Sequence, residues 1–124
     1  MQITPTYAGI DWSWQNHAVC VIDHSGRRIA QHSVPHAAAG MTALTTLFRL
    51  HQVTAVAIER GDGLLVDHLI RDGFTVTVIS PRQVKSLRQR HGAAGNKDDR
   101  FDAFVLADAL RTDPGRWARH ALPA

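Results

Sequence analysis

Cysteine is almost missing from this chain of 124 residues, with Cys20 its sole thiol. One thiol excludes an internal disulfide framework and any zinc site built on cysteine pairs. Long apolar runs are missing too. No stretch approaches the roughly 18 residues that a membrane-spanning helix needs, and no charged-then-apolar signal segment opens the chain. Aromatic residues make up 6% and charged residues 20% of the sequence, the latter too few for a disordered tail. What remains is an ordinary globular composition, 44% hydrophobic, at a length that suits one domain. A domain of this size buries roughly two-thirds of its unfolded surface and needs no staples. These features predict a soluble, cytosolic protein with one domain over residues 1–124 and no membrane partner.

Acidic charge is in deficit. Fourteen Lys and Arg face 11 Asp and Glu, for a formal net charge of +3 and a sequence pI of about 9.8. Nine of the 14 basic residues lie between Arg82 and Arg119, and 12 of the 14 are arginine. Arginine favours fork-like contacts with phosphate, so the distribution points to a polyanionic partner. A solvated basic face is the plainer alternative.

The order of elements follows from periodicity. Tyr7–Asp11 reads as a short strand, His17–Asp23 as a second and Arg28–Val34 as a third, with a hairpin turn at Ser25-Gly26. Met41, Leu44, Leu47 and Phe48 recur at helical spacing, which predicts an amphipathic helix over 37–51. Thr54–Ile58 has the apolar character of a buried central strand. Asp62 is placed to cap a helix that Gly73 closes. Phe74–Ile79 is a further strand. Ser80, Pro81 and Gln83 form the signature of a capping box at a third helix. Residues 90–97, with two glycines, read as a mobile loop, and Asp99–Arg111 as the last helix, with an apolar stripe at Ala103, Leu106, Ala107 and Leu110. The order β-β-β-α-β-α-β-α-α predicts an α/β fold: a mixed five-stranded sheet with helices on both faces, in the ribonuclease-H-like arrangement. That arrangement alone does not define function.

Four acids occupy places that make sense together. Asp11 ends the first strand and Glu59 follows the buried fourth. Asp99 and Asp102, three apart, project from one side of the last helix, the side that carries its apolar stripe. Four ionised carboxylates in a partly buried site repel strongly. Two Mg²⁺ ions, with Mn²⁺ as a substitute, would remove that conflict. A pair roughly 3.5–4 Å apart can hold a scissile phosphate. Taken singly, each acid has an ordinary role, as a turn residue, a surface ion pair or a complement to the helix dipole. Asp98 and Asp102 are also co-facial, so spacing does not choose between Asp98 and Asp99. Arg88, Arg90, His91, Lys97 and Arg100 surround the loop that leads into the acidic pair and are candidate contacts to backbone phosphates; a plain surface loop is the alternative.

Other chemistries lack support. His32 and His36 are separated by the helix-breaking Pro35, which argues against a zinc pair. The glycines at 61, 63, 92 and 95 lack the strand–loop–helix context and lysine of a P-loop. Trp12 and Trp14 beside the first acid read as packing, or as a platform for a base or a second subunit. Cys20 reads as core.

Gly-Ile-Asp-Trp-Ser (Gly9–Ser13), Ala-Ile-Glu (Ala57–Glu59) and Asn-Lys-Asp-Asp-Arg-Phe-Asp-Ala (Asn96–Ala103) resemble the amino-terminal DEDD domain of the insertion-sequence 110 family of transposases. The resemblance runs along essentially the whole chain. Its most specific part, Lys97-x-Asp99-x-x-Asp102-Ala103, selects Asp99 over Asp98. It implies a RuvC-like fold in which Asp11, Glu59, Asp99 and Asp102 are the catalytic metal ligands; the central position of its strand points to Asp11 as the ligand that bridges the two ions. It also implies a bacterial recombinase that acts on DNA, is guided by a structured RNA and works as a dimer or higher oligomer. Family members carry a second domain with a serine nucleophile beyond a helical connector. Nothing in this chain matches that domain, so it reads as a fragment that lacks it. Metal binding and nucleic-acid contact are expected of it, and strand exchange by it alone is not. Two other functions compete: a stand-alone RuvC-like junction endonuclease, and a non-catalytic module that binds guide RNA and dimerises.

Overall fold

The computed structural model of the chain describes residues 4–59, 63–91 and 99–117, the last segment with side chains from residue 101 onward. The elements follow in the expected order: β1 (Tyr7–Asp11), β2 (Asn16–Ile22), β3 (Arg28–Pro35), α1 (Ala38–Leu50), β4 (Ala55–Glu59), α2 (Gly63–Arg71), β5 (Thr75–Ile79), α3 (Pro81–Arg90) and α4 (Asp99–Thr112). They build one five-stranded sheet in the order β3-β2-β1-β4-β5. The β1–β2 and β2–β3 pairs are antiparallel, while β1–β4 and β4–β5 are parallel.

Strand alternation divides the core between the two faces. Ala8, Ile10, Val56, Ile58 and Val76 point to one side. There they pack with Leu44 and Phe48 of α1 and Leu65 and Leu69 of α2. Ala57 and Ile79 point to the other, against Val84 and Leu87 of α3 and Val105, Leu106, Ala109 and Leu110 of α4. Cys20 and Ile22 of β2 meet Ala103 and Ala107 on that same side, so Cys20 is core. Burial of each large aliphatic side chain contributes roughly 1.5–3 kcal/mol.

The termini of the helices explain their lengths. Ser80 Oγ accepts the Gln83 amide and Gln83 Oε1 accepts the Ser80 amide, completing the capping box at α3. Gly73, at φ +94°, ends α2: its amide donates to the Ile70 carbonyl and the Phe74 amide to that of Leu69. The same motif ends α1, but with Gln52 at φ +54° in the left-handed position. The helix α3 continues through Arg90, one residue into the expected loop, because Arg90 is held by Asp113 and Thr112. The cap expected at Asp62 and most of the 90–97 loop lie outside the described residues. Among the described residues no helix is long and apolar enough to cross a membrane.

Candidate metal centre

The site starts from a register. Strands β1 and β4 run parallel, with Asp11 opposite Glu59 and Gly9 opposite Ala57. Alternation puts Asp11 on the same face as Gly9, and Glu59 on the same face as Ala57. That face is covered by α4. The helix approaches so closely that a Cβ on Gly9 would strike the Ala103 carbonyl oxygen and lie 2.7 Å from the Ala107 nitrogen. Asp102, on the first turn of α4, is thereby delivered to the carboxyl ends of β1 and β4. Asp11, Glu59 and Asp102 each offer a ligand oxygen within 4.8 Å of the others. Asp11 and Glu59 are half-buried, and Asp102 is only 1% exposed. The backbone of Asp99 opens α4 in the same turn. Its side chain, and the choice between it and Asp98, fall outside the described residues.

Three carboxylates this close and this buried raise one another's energy. Two features offset the repulsion. The amino end of α4 points its partial positive charge at this end of the sheet. Arg88 of α3 also brings Nε to 3.0 Å from Asp102 Oδ1, with the two side chains 18% and 1% exposed. The N–H is not aligned for a formal hydrogen bond, so the contact is an ion pair. Among the described residues, the cluster sets three acids against one arginine side chain. Its donors are carboxylate oxygens, the hard ligands that Mg²⁺ and Mn²⁺ take, and not the thiolate or imidazole of a zinc site. The residues present therefore fit a hard divalent cation.

Of the other basic candidates, Arg90 and His91 pair with acids outside the cluster. Arg90 pairs with Asp113 at 2.6 Å. The His91 ring lies 3.6 Å from Asp108, edge-on to Phe101 and Phe104. Lys97 is outside the described residues, and of Arg100 only the backbone is described. Arg88 is thus the one candidate with a described side chain that reaches the carboxylates.

Sequence reasoning missed how the loop after Asp11 is anchored. The Ser13 amide donates to His17 Nδ1 at 3.0 Å, which places the ring proton on Nε2. That nitrogen lies 3.0 Å from His36 Nδ1. The His36 amide in turn donates to the Gln15 carbonyl at 2.8 Å. Trp12 packs edge-on against Trp14 and His36. His36 therefore pairs with His17, 19 positions away, and not with His32. The available signal was the alternation of β2, which sends His17 to the buried face with Val19 and Val21.

A mixed sheet in this order, with acids at the carboxyl ends of its two central strands and a third on a helix laid across them, defines a ribonuclease-H-like domain of the RuvC type. The solved structure of T. thermophilus RuvC in complex with a Holliday junction substrate shares this fold. It has a TM-score of 0.70 over 94% of this chain and 99% of the RuvC chain, at 15% identity. The family model of the insertion-sequence 110 DEDD transposases, described as Transposase, matches residues 8–123, and the chain belongs to that family. It is 39% identical over 114 residues to the y4uE protein of Sinorhizobium fredii, ascribed to the transposases. That match covers 87% of this chain and 32% of the relative. It is 37% identical over 123 residues to the mini-circle protein of Streptomyces coelicolor ascribed as the transposase for IS117, covering 95% and 29% respectively. The chain thus spans about a third of the length of these relatives.

Proposed function

We propose that this chain is the metal-dependent catalytic domain of a DNA transposase, acting on DNA phosphodiesters through a pair of Mg²⁺ ions. The observation that carries the reading is the convergence of Asp11, Glu59 and Asp102, remote in sequence, to within 4.8 Å. Asp99, on the same turn of α4 as Asp102, is the fourth ligand. Asp11, on the central strand, would hold both ions. Bound divalent ions supply Lewis-acid stabilisation of the attacking and leaving oxygens of a phosphodiester. The protein's own part is positional. The β1–β4 register holds Asp11 and Glu59 side by side, the loop after Asp11 is pinned through His17 and His36, and the close seat of α4 on Gly9 fixes Asp102. The partner is DNA, and exposed Arg82 and Lys85 on α3 supply charge for its backbone together with Lys97 and Arg100. In the longer protein we read this domain as guided by a structured RNA and assembled as a dimer or higher oligomer.

The test is thermal melting with and without Mg²⁺ or Mn²⁺. The parent should be stabilised by the cation and Asp11→Asn should not; equal shifts in both would refute the assignment. The RuvC likeness, which covers nearly all of a junction-bound protein, favours one second reading, a stand-alone junction nuclease. Cleavage of four-way DNA by this chain alone would support that reading. Tight RNA binding indifferent to EDTA, with no activity on DNA, would instead favour a non-catalytic RNA-binding module.

A further inference from the structure

Arg88 is the one basic side chain that the described structure sets against the carboxylate cluster. Its position is unusual for an arginine. It follows Leu87 on α3 and lies one turn on from Val84, both of them core, and its side chain is 18% exposed. Its Nε lies 3.0 Å from an Asp102 oxygen that is itself almost wholly buried. A buried carboxylate without a counter-charge is costly, and removing one partner of a buried pair is strongly destabilising. The same carboxylate is one of three that converge on a common point. A fixed positive charge there does for Asp102 what a cation would do, and it repels a cation that approaches.

We propose that Arg88 is a built-in counter-ion of the cluster: it stabilises Asp102 while the site holds no cation, and competes with a divalent cation for that carboxylate. The inference rests on reading the cluster as a divalent-cation site. Arg88 is a positioning residue under this proposal. It sets how strongly the cation binds and keeps the first turn of α4 seated before the cation arrives. A residue that merely orients a ligand has the opposite signature, because its loss typically weakens metal binding 10–100-fold.

The experiment combines melting of the cation-free protein with Mn²⁺ titration by calorimetry, on the parent, Arg88→Met, Arg88→Lys and the double variant Arg88→Met/Asp102→Asn. Methionine keeps the apolar stem and removes the charge. Arg88→Met should melt several degrees lower without cation, yet bind Mn²⁺ more tightly, by about tenfold for one unit charge removed a few ångströms from a divalent ion. Arg88→Lys should recover most of the melting temperature and the parent affinity. The double variant, with both charges gone, should melt above Arg88→Met. An Arg88→Met protein that melts like the parent, or that binds Mn²⁺ equally or more weakly, overturns the proposal while leaving the cation site standing. A parent that binds no Mn²⁺ overturns the cation site and the competition with it. Should Arg88→Met fail to fold, Arg88→Lys and the double variant decide. Asp102→Asn with Arg88 intact should melt below the double variant, because it deprives the buried guanidinium of its partner; the reverse order overturns the pairing.

Discussion

Replacing Gly9 by alanine puts a methyl group where α4 crosses β1. The new Cβ would meet the carbonyl oxygen of Ala103 and lie 2.7 Å from the nitrogen of Ala107 and 3.0 Å from the carbonyl carbon of Ala103. All three are backbone atoms of one helix, so no side chain can rotate out of the way. Ordinary contact begins near 3.4 Å, so α4 must withdraw by about 0.7 Å at Ala107 and by more at Ala103. Interiors do not absorb such shifts cheaply. Ala103, Leu106, Ala107 and Leu110 are all buried along that helix, and they lose contact with the sheet together. Overpacking of this kind costs typically 1–3 kcal/mol, and with backbone as the obstacle the expected loss is about 3 kcal/mol.

The consequence for the site is specific. Asp102 immediately precedes Ala103, so the carboxylate moves away from Asp11 and Glu59 when the helix lifts. Gly9→Ala should therefore lose stability in urea unfolding and also lose most of the Mg²⁺-induced melting shift. Gly115→Ala is the control, because a Cβ there has nothing within 4 Å. A Gly9→Ala protein within about 0.5 kcal/mol of the parent, with its Mg²⁺ response intact, would refute the view that α4 is seated on Gly9.

Gln52 ends α1 in the left-handed region, at φ +54°, where a side chain is strained. Gln52→Gly should raise stability by up to about 1 kcal/mol, measured as an increased urea midpoint at unchanged slope; a decrease would show that the Gln52 side chain offsets its strain. Burial pushes the Cys20 thiol up from its ordinary 9.0 to about 11, opposed by the nearby Arg28 charge. Because the folded value is raised, the thiol's contribution to stability is intact below about pH 9 and is lost as pH rises toward 11. Folded protein should therefore resist an aromatic disulfide reagent at pH 8 and react once unfolded in urea; fast reaction without denaturant would contradict the burial of β2.

The fold was legible because each local signal agreed with the next. The apolar run at residues 54–58, the glycine at 73 and the Ser80–Gln83 pair each mark a boundary that the backbone adopts to within a residue or two. The topological positions of Asp11, Glu59 and Asp102 could be read from the same signals, since a strand end and a helix start are visible in sequence. The pairings of the basic residues were not. Arg88, Arg90 and His91 all looked like phosphate contacts from their nearness to the acidic turn. Which of them reaches Asp102, Asp113 or Asp108 depends on how α3 crosses α4, and no local pattern encodes that angle. The His17–His36 contact has the same origin, because two histidines 19 residues apart meet only after β3 has returned along β2.

Register ties the core to the chemistry. On β1, Ala8 and Ile10 must face α1 and α2 because they are apolar and fully buried. With a side-chain period of two, that choice sends Gly9 and Asp11 to the opposite face. The same parity on β4 fixes Val56 and Ile58 inward and sends Ala57 and Glu59 toward α4. A slip of one residue in either strand would bury an acid among the leucines of α1 and α2 and at the same time put an isoleucine against the backbone of α4. Only one register satisfies both faces, and in that register two carboxylates stand side by side under the helix that brings the third. The electrostatic cost of their convergence is therefore carried by the hydrophobic pattern itself, which is why acids so far apart in sequence can be held together in the folded chain.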